Sequence, residues 1–217
     1  EAWPAFSSEG IDFIITNEPF IQQGTPTAPV VYWLDVQAQL PWTGSQVRFG
    51  WKTCPTNWND DAVWAAKKEP HNGPWNRLTY PPGHPRAGQT LDLAFRLNAT
   101  EDWISGVKWS QPPVLWTPTN AFNGWNEPSV YESQRIVADD WVCISTNPVT
   151  DIHWWGSFLN GWDKPYPPAT MPQKFHIGIW TDVPANATNL FSHPGKLIWE
   201  NFCDSYVIDF RFKFILF

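Results

Sequence analysis

Cationic residues are scarce in this chain. Fourteen Lys and Arg stand against 21 Asp and Glu among 217 residues, a formal net charge of −7, and the isoelectric point lies near 5.1. Such a chain offers no basic footprint, which excludes nucleic acid as a partner. No run of 18 apolar residues occurs, so no membrane span by a helix is expected. Cysteine is rare too. Cys54, Cys143 and Cys203 are far apart and form no Cys-x-x-Cys, which argues against a zinc site. An odd count leaves room for one disulfide and one thiol, with Cys143 and Cys203 the candidate pair. G-x-S-x-G, H-E-x-x-H, P-loop and dinucleotide fingerprints are all missing, and His71, His84, His153, His176 and His193 are scattered. An enzyme is therefore not expected. Glycoside hydrolysis needs two carboxylates across a cleft, about 5 to 9 Å apart. Glu18, Asp35, Glu127, Asp151 and Glu200 supply acids, but their spacing pairs none of them.

The chain does have 17 Trp and 22 Pro, with only 16% charged residues. Many aromatics, frequent proline breaks and few charges read as short strands joined by structured loops rather than as helices or disorder. Alternation predicts strands at 11–15, 30–40, 47–51, 90–97, 135–145, 151–158, 174–181 and 197–202. The stretch 206–217 (YVIDFRFKFILF) alternates most regularly, with Phe210, Phe212 and Phe214 on one face and Asp209, Arg211 and Lys213 on the other. One short helix is expected from Asn59: Asn59 or Asp60 caps it, lysines close it, and Pro70 stops it. The fold expectation is an all-β antiparallel sandwich, jelly-roll or immunoglobulin-like, with at most one or two short helices. A chain starting at Glu1 without Met, carrying sequons at Asn98 and Asn186, reads as a mature secreted protein.

Three constellations carry chemistry. The stretch DIHWWGSFLNGW at 151–162 places Trp154 and Trp155 on opposite faces of a strand. One then belongs to the core, while Trp155 either covers an edge or stacks on a sugar ring. Trp58, Trp75, Trp116, Trp125 and Trp162 sit in turn chemistry, where they clamp loops, dock a neighbour or stack on glycans. Asp60 and Asp61, like Asp139 and Asp140, are paired acids that form a candidate Ca²⁺ site. The blander reading is a helix cap at 59–61 and, at 139–140, either a turn or pairing of Arg135 with Asp139 and Asp140.

The segments RIVADDWVCISTNPVTDIHWWGSF, KWSQPP, FHIGIWTDVP and SHPGKLIWE resemble an uncharacterised domain family of large secreted proteins of environmental bacteria. So do YWLDVQAQ, FGWKT, WNDDAVW and LTYPPGHPRAGQTLDLAF. The resemblance covers most of the chain and implies a secreted β-rich module without catalytic residues. In that family the WWGS half precedes the YWLDVQ half, whereas here it follows. Residues 1–105 thus resemble a module's second half and 106–217 a module's first half. Half-modules leave sheets incomplete; completion comes either from the other half of the same chain, giving a monomer, or from the next subunit, and head-to-tail completion by a neighbour builds filaments. The leading expectation is a self-assembling subunit of an extracellular filament or cell-surface array. Phe210, Phe212 and Phe214, or Ile11 and Phe13, are its candidate assembly strands. The alternative is a secreted carbohydrate-binding module.

Overall fold

A computed structural model describes residues 3–4, 9–40, 48–54, 56–66, 74–99, 106–113, 125–131, 135–159 and 172–209. They build two antiparallel sheets packed face to face, and none of them is helical. The nine-stranded sheet runs β1 (Trp3–Pro4), β10 (Trp125–Pro128), β4 (Arg48–Cys54), β12 (Asp151–Leu159), β2 (Glu9–Ile14), β15 (Val207–Asp209). Beside this path, β7 (Asp92–Leu93) pairs with β4, and β8 (Phe95–Asn98) joins β12 to β9 (Val107–Gln111). The six-stranded sheet runs β14 (His193–Cys203), β13 (Lys174–Val183), β3 (Val30–Gln39), β11 (Ile136–Cys143), β5 (Val63–Ala65), β6 (Trp75–Arg77). Each sheet takes strands from both halves of the chain.

The alternation in β3 shows why the layers form. Tyr32, Leu34, Val36 and Ala38 point into the main core between the sheets. Trp33 joins a second apolar cluster with Trp75, Ile136 and Trp180, and Asp35 and Gln37 sit in a buried polar network. Large aromatics fill the main core: Trp51, Trp141 and Trp154 are at most 1% exposed. Trp154 meets Phe175 edge-on at 5.0 Å, and Tyr32 packs on Trp141 at 5.4 Å. Gly156 is required where β12 crosses β4, because a Cβ there would lie 2.3 Å from the Phe49 ring.

Four local expectations are corrected. The helix at 59–70 is not formed in its described part: Val63–Ala65 is a strand, with Val63 opposite Ala138 and Ala65 opposite Ile136. Two helical turns are marginal alone, and burial of Val63 and Ala65 against β11 outweighs the capping signal. Trp125–Pro128, expected as loop, pairs with β1 and β4. The Cys143–Cys203 disulfide does not form, and all three cysteines are buried free thiols. Those two strands are separated by β3 and β13, so three steps of about 4.8 Å lie between them, far beyond disulfide reach. Each thiol instead donates to the carbonyl two residues on, at 3.0 Å (Thr56), 3.1 Å (Ser145) and 3.7 Å (Ser205). Arg135 pairs with Glu127 at 2.9 Å and lies over the Trp64 ring, rather than meeting Asp139 or Asp140.

Candidate functional site

Both sheets end in rows of backbone without a strand partner, and these rows differ. At the β14 edge the chain carries Pro194, Gly195 and Lys196, and its pairing with β13 is shifted between Ile179 and Trp180 and again before Asp182. Proline, lysine and bulges are the means by which edge strands resist pairing with another chain. On the opposite flank β9 carries Lys108 and a register shift opposite Leu97 and Asn98, whereas residues 139–143 of β11 carry neither proline nor lysine. β11 is paired with β5 only through residues 136–138, so among the described residues 139–143 have a strand neighbour on the β3 side alone. Among the described residues β9 pairs with β8 alone. The two free edges belong to different sheets and flank a seam. A cavity of about 220 Å³ lies there, with residues 106–108 on one wall and 141–145 on the other. Val107 and Ile144 line the cavity and remain exposed, 42% and 52%.

Polar contacts close the seam at its ends. Lys108 Nζ donates to Ser145 Oγ at 3.1 Å. Toward β7 the contacts are carboxylate-centred. Asp139 Oδ2, on β11, accepts from Leu93 N and from Gln111 Nε2, both at 2.6 Å, so one side chain joins β11 to two strands of the other sheet. Asp140 accepts from Asn59 Nδ2 at 2.5 Å and Asp60 N at 3.1 Å. Asp92 accepts from Trp58 N at 2.6 Å. The three aspartates are 1% exposed each. Burial pushes Asp92 and Asp140 up to about 7 and Asp139 well above the usual carboxylate range, and mutual repulsion adds to this. Asp60 and Asp61, half-buried at the rim, enter through their field, and Asp61 pairs with Arg77 at 3.5 Å. The acids proposed for Ca²⁺ thus do come together, held by amide donors. Among the described residues, no group of three His, Cys, Asp or Glu has metal-holding geometry.

A second polar network lies on the outer face of the six-stranded sheet. Trp180 Nε1 donates to Asp35 Oδ2 at 2.5 Å and Gln37 Nε2 to Asp35 Oδ1 at 2.7 Å; His176 Nε2 meets Glu200 Oε2 at 3.0 Å. Burial pulls His176 down, but Asp35 and Glu200 outweigh it and raise the imidazole to about 9. Gly178 makes room for this network, since a Cβ there would lie 2.1 Å from Asp35 Oδ2. On the other sheet His153 is buried against Asp12.

The tryptophans divide. Trp155 is 5% exposed and packs with Cys54 and Ala94, so it offers no stacking face. Trp75 is 8% exposed, on the wall of a cleft it shares with Leu190, Phe191 and His193. Trp125 is half-buried beside His84. Trp58 alone among these four keeps an open ring, 48% exposed and edge-on to Trp109 at 5.8 Å. Trp116, Trp162, Phe210, Phe212 and Phe214 lie outside the described residues. Ile11 and Phe13 belong to β2, whose residues 10–12 are paired on both sides, with β12 and β15, and both side chains are buried in the main core. Their strand therefore presents no free edge there to a neighbour. Asn98 is 1% exposed and donates Nδ2 to Asp151 Oδ1 at 2.5 Å. A glycan has no room at that nitrogen; at Asn186, in an exposed turn, it does. No local signal predicted the seam, because it exists only where strands far apart in sequence stop pairing.

Fold and site together define an antiparallel β-sandwich module with a seam between β9 and β11. The chain belongs to the family described as a domain of unknown function, DUF7901, whose model matches residues 8–98 and 107–214. No curated protein and no solved structure matches it.

Proposed function

We propose that this chain is a structural module of an extracellular filament or surface array, in which the seam between β9 and β11 receives a β-strand from a neighbouring copy. The observation that carries this reading is the pair of strand edges flanking the seam that have no strand partner among the described residues, the β11 edge lacking the proline, lysine and register shifts of the β14 edge. An added strand satisfies backbone donors and acceptors, and pockets between alternate side chains give it register. The alternating segment that includes Phe210, Phe212 and Phe214, with Arg211 and Lys213 between them, is the donor, its cations suited to an acidic acceptor chain.

The test is negative-stain electron microscopy and light scattering of the full chain over a wide concentration range. Filaments or oligomers that disappear in a Val107→Glu, Ile144→Glu variant support the assignment. Particles of 25.0 kDa at every concentration overturn it. A second reading, saccharide binding, rests on the exposed Trp58 ring with Asn57 and Asp61 hydrogen-bonded beside it at 2.6 Å. A glycan array with the Trp58→Ala variant as control tests that reading.

A further inference from the structure

A cleft of about 430 Å³ opens between β6 and the turn that leads into β14, within the range of about 300–1,000 Å³ usual for small-molecule sites. Trp75 closes one side of it, edge-on against Trp180 at 6.1 Å. Leu190 and Phe191 add apolar surface, and Leu190 is 80% exposed. Arg77, on β6, props them from behind: its Nη2 donates to Leu190 O at 3.2 Å, its guanidinium lies 5.3 Å from the Phe191 ring, and Asp61 holds it at 3.5 Å. The polar groups of the cleft come from the turn and from the first residue of β14. Asn186 Oδ1 accepts from Thr188 N at 2.8 Å, Thr188 Oγ1 at 2.7 Å and Asn189 N at 3.0 Å, so the turn is fixed by its own side chain. Asn189 lines the cleft half-buried, and its side-chain amide has no hydrogen-bond partner among the described residues. His193 Nδ1 meets the Pro194 carbonyl at 2.9 Å. A carbonyl only accepts, so Nδ1 donates, and in the neutral ring Nε2 carries the lone pair as an acceptor. Among the described residues lining the cleft there is no Asp, Glu, Lys or Arg.

We infer that this cleft binds a neutral saccharide, about one or two pyranose rings long. Leu190 and Phe191 suit the C–H face of a sugar ring. The Asn189 amide supplies donors and an acceptor, and His193 Nε2 a further acceptor, for neighbouring hydroxyls. The uncharged lining selects against acidic sugars, whose carboxylate would find no free cation there. An apolar guest would fill the same space but leave the Asn189 amide and the imidazole unpaired once water is displaced. The inference goes beyond the assembly reading and does not rest on it. The site is also separate from the Trp58 ring.

The experiment titrates the full chain with cellobiose, maltose, N,N′-diacetylchitobiose and, as acidic control, digalacturonate, following the backbone amides of Asn189 and Leu190 by NMR. At least one neutral disaccharide should shift both amides with a Kd of about 1 mM or tighter, and digalacturonate should bind at least about tenfold more weakly. Asn189→Ala and Leu190→Asp should each weaken binding at least about fivefold. Leu190→Asp alters an open surface position, so its fold is not at risk. No shift from any neutral disaccharide up to about 10 mM, or tighter binding of digalacturonate, overturns the inference. Binding that survives Leu190→Asp and disappears in Trp58→Ala puts the saccharide on the Trp58 ring and overturns this site alone. Shifts of the same amides by decaproline, with none from the sugars, would make the cleft a peptide groove and overturn it too. The Val107→Glu, Ile144→Glu variant should bind the disaccharide as the native chain does, so loss of the assembly reading leaves this site standing.

Discussion

The β14 edge and the β9–β11 seam pose the same physical problem and answer it differently. Both leave peptide groups without a strand partner among the described residues. At β14 the sequence interrupts pairing every few residues, with Pro194, Gly195 and Lys196 and then the shift between Ile179 and Trp180. Its exposed face alternates Lys196, Ile198, Glu200 and Phe202, and Glu200 is turned back onto His176. At the seam the interruptions, Lys108 and a register shift opposite Leu97 and Asn98, lie on β9; its rims are Val107 and Ile144, and its closure combines the Lys108–Ser145 contact with hydrogen bonds to three aspartates.

The largest expected effect separates the side chains beneath the two edges. Trp141 forms part of the seam wall and is 1% exposed, with its Nε1 donating to Gln22 Oε1 at 3.3 Å. Trp141→Ala should cost about 3–5 kcal/mol in chemical denaturation. Trp199, half-buried under β14 with its Nε1 on Glu18 O at 3.0 Å, should cost less than half of that when replaced by Ala. Equal losses would break the contrast.

Next in size is Gly178→Ala. The new methyl meets the Asp35 carboxylate, which is fixed by Trp180 and Gln37. A loss of about 1–3 kcal/mol is expected, together with weakened coupling between Asp35 and His176. A titration of His176 followed by NMR should therefore move from about 9 toward its ordinary value.

The pH profile comes third. Asp151 is raised to about 6 by burial, Asp92 and Asp140 to about 7, and His176 to about 9. All four bind protons more tightly folded than unfolded, so all contribute stability that is full in acid and declines as pH rises. Thermal midpoints should drop by about 5 °C or more between pH 5 and pH 9. A midpoint that climbs over that range would contradict the burial of these groups as ionisable acids.

The smallest stability effect carries the sharpest functional contrast. Val107→Glu and Ile144→Glu alter exposed positions and should shift stability by no more than about 0.5 kcal/mol. They should abolish any strand-mediated oligomer, whereas Ile198→Glu on β14 should leave it intact. If Ile198→Glu were the one that dissolves it, β14 rather than the seam would be the joining surface.

Much of this fold is legible as pattern. The alternation in VVYWLDVQAQ, IVADDWVC and KFHIGIWT marks β3, β11 and β13, because a strand between two covered faces must be apolar on one and satisfied on the other. Trp154 and Trp155 on opposite faces follow from the same period of two. Pattern fails where partners decide. The Asn59 capping signal is genuine in local terms, yet Asn59 spends its side chain on Asp140, and the residues after it join β11. Spacing brought Asp60, Asp61, Asp139 and Asp140 to notice as acids. It could not reveal that Asp92 and Gln111 complete their cluster, since those residues arrive from β7 and β9.

What the sequence determined by itself was the class of structure: a β-rich chain without nucleic-acid footprint or helical membrane span, its strands punctuated by proline. Composition and period are properties of neighbours along the chain, and they act before any tertiary contact exists. Which tryptophan is buried, which asparagine is open to a glycan, which cysteines lie too far apart to bridge, and which edge stays unguarded were decided only by the tertiary structure. Those outcomes depend on strands tens of residues apart, whose pairing is set by burying one shared core.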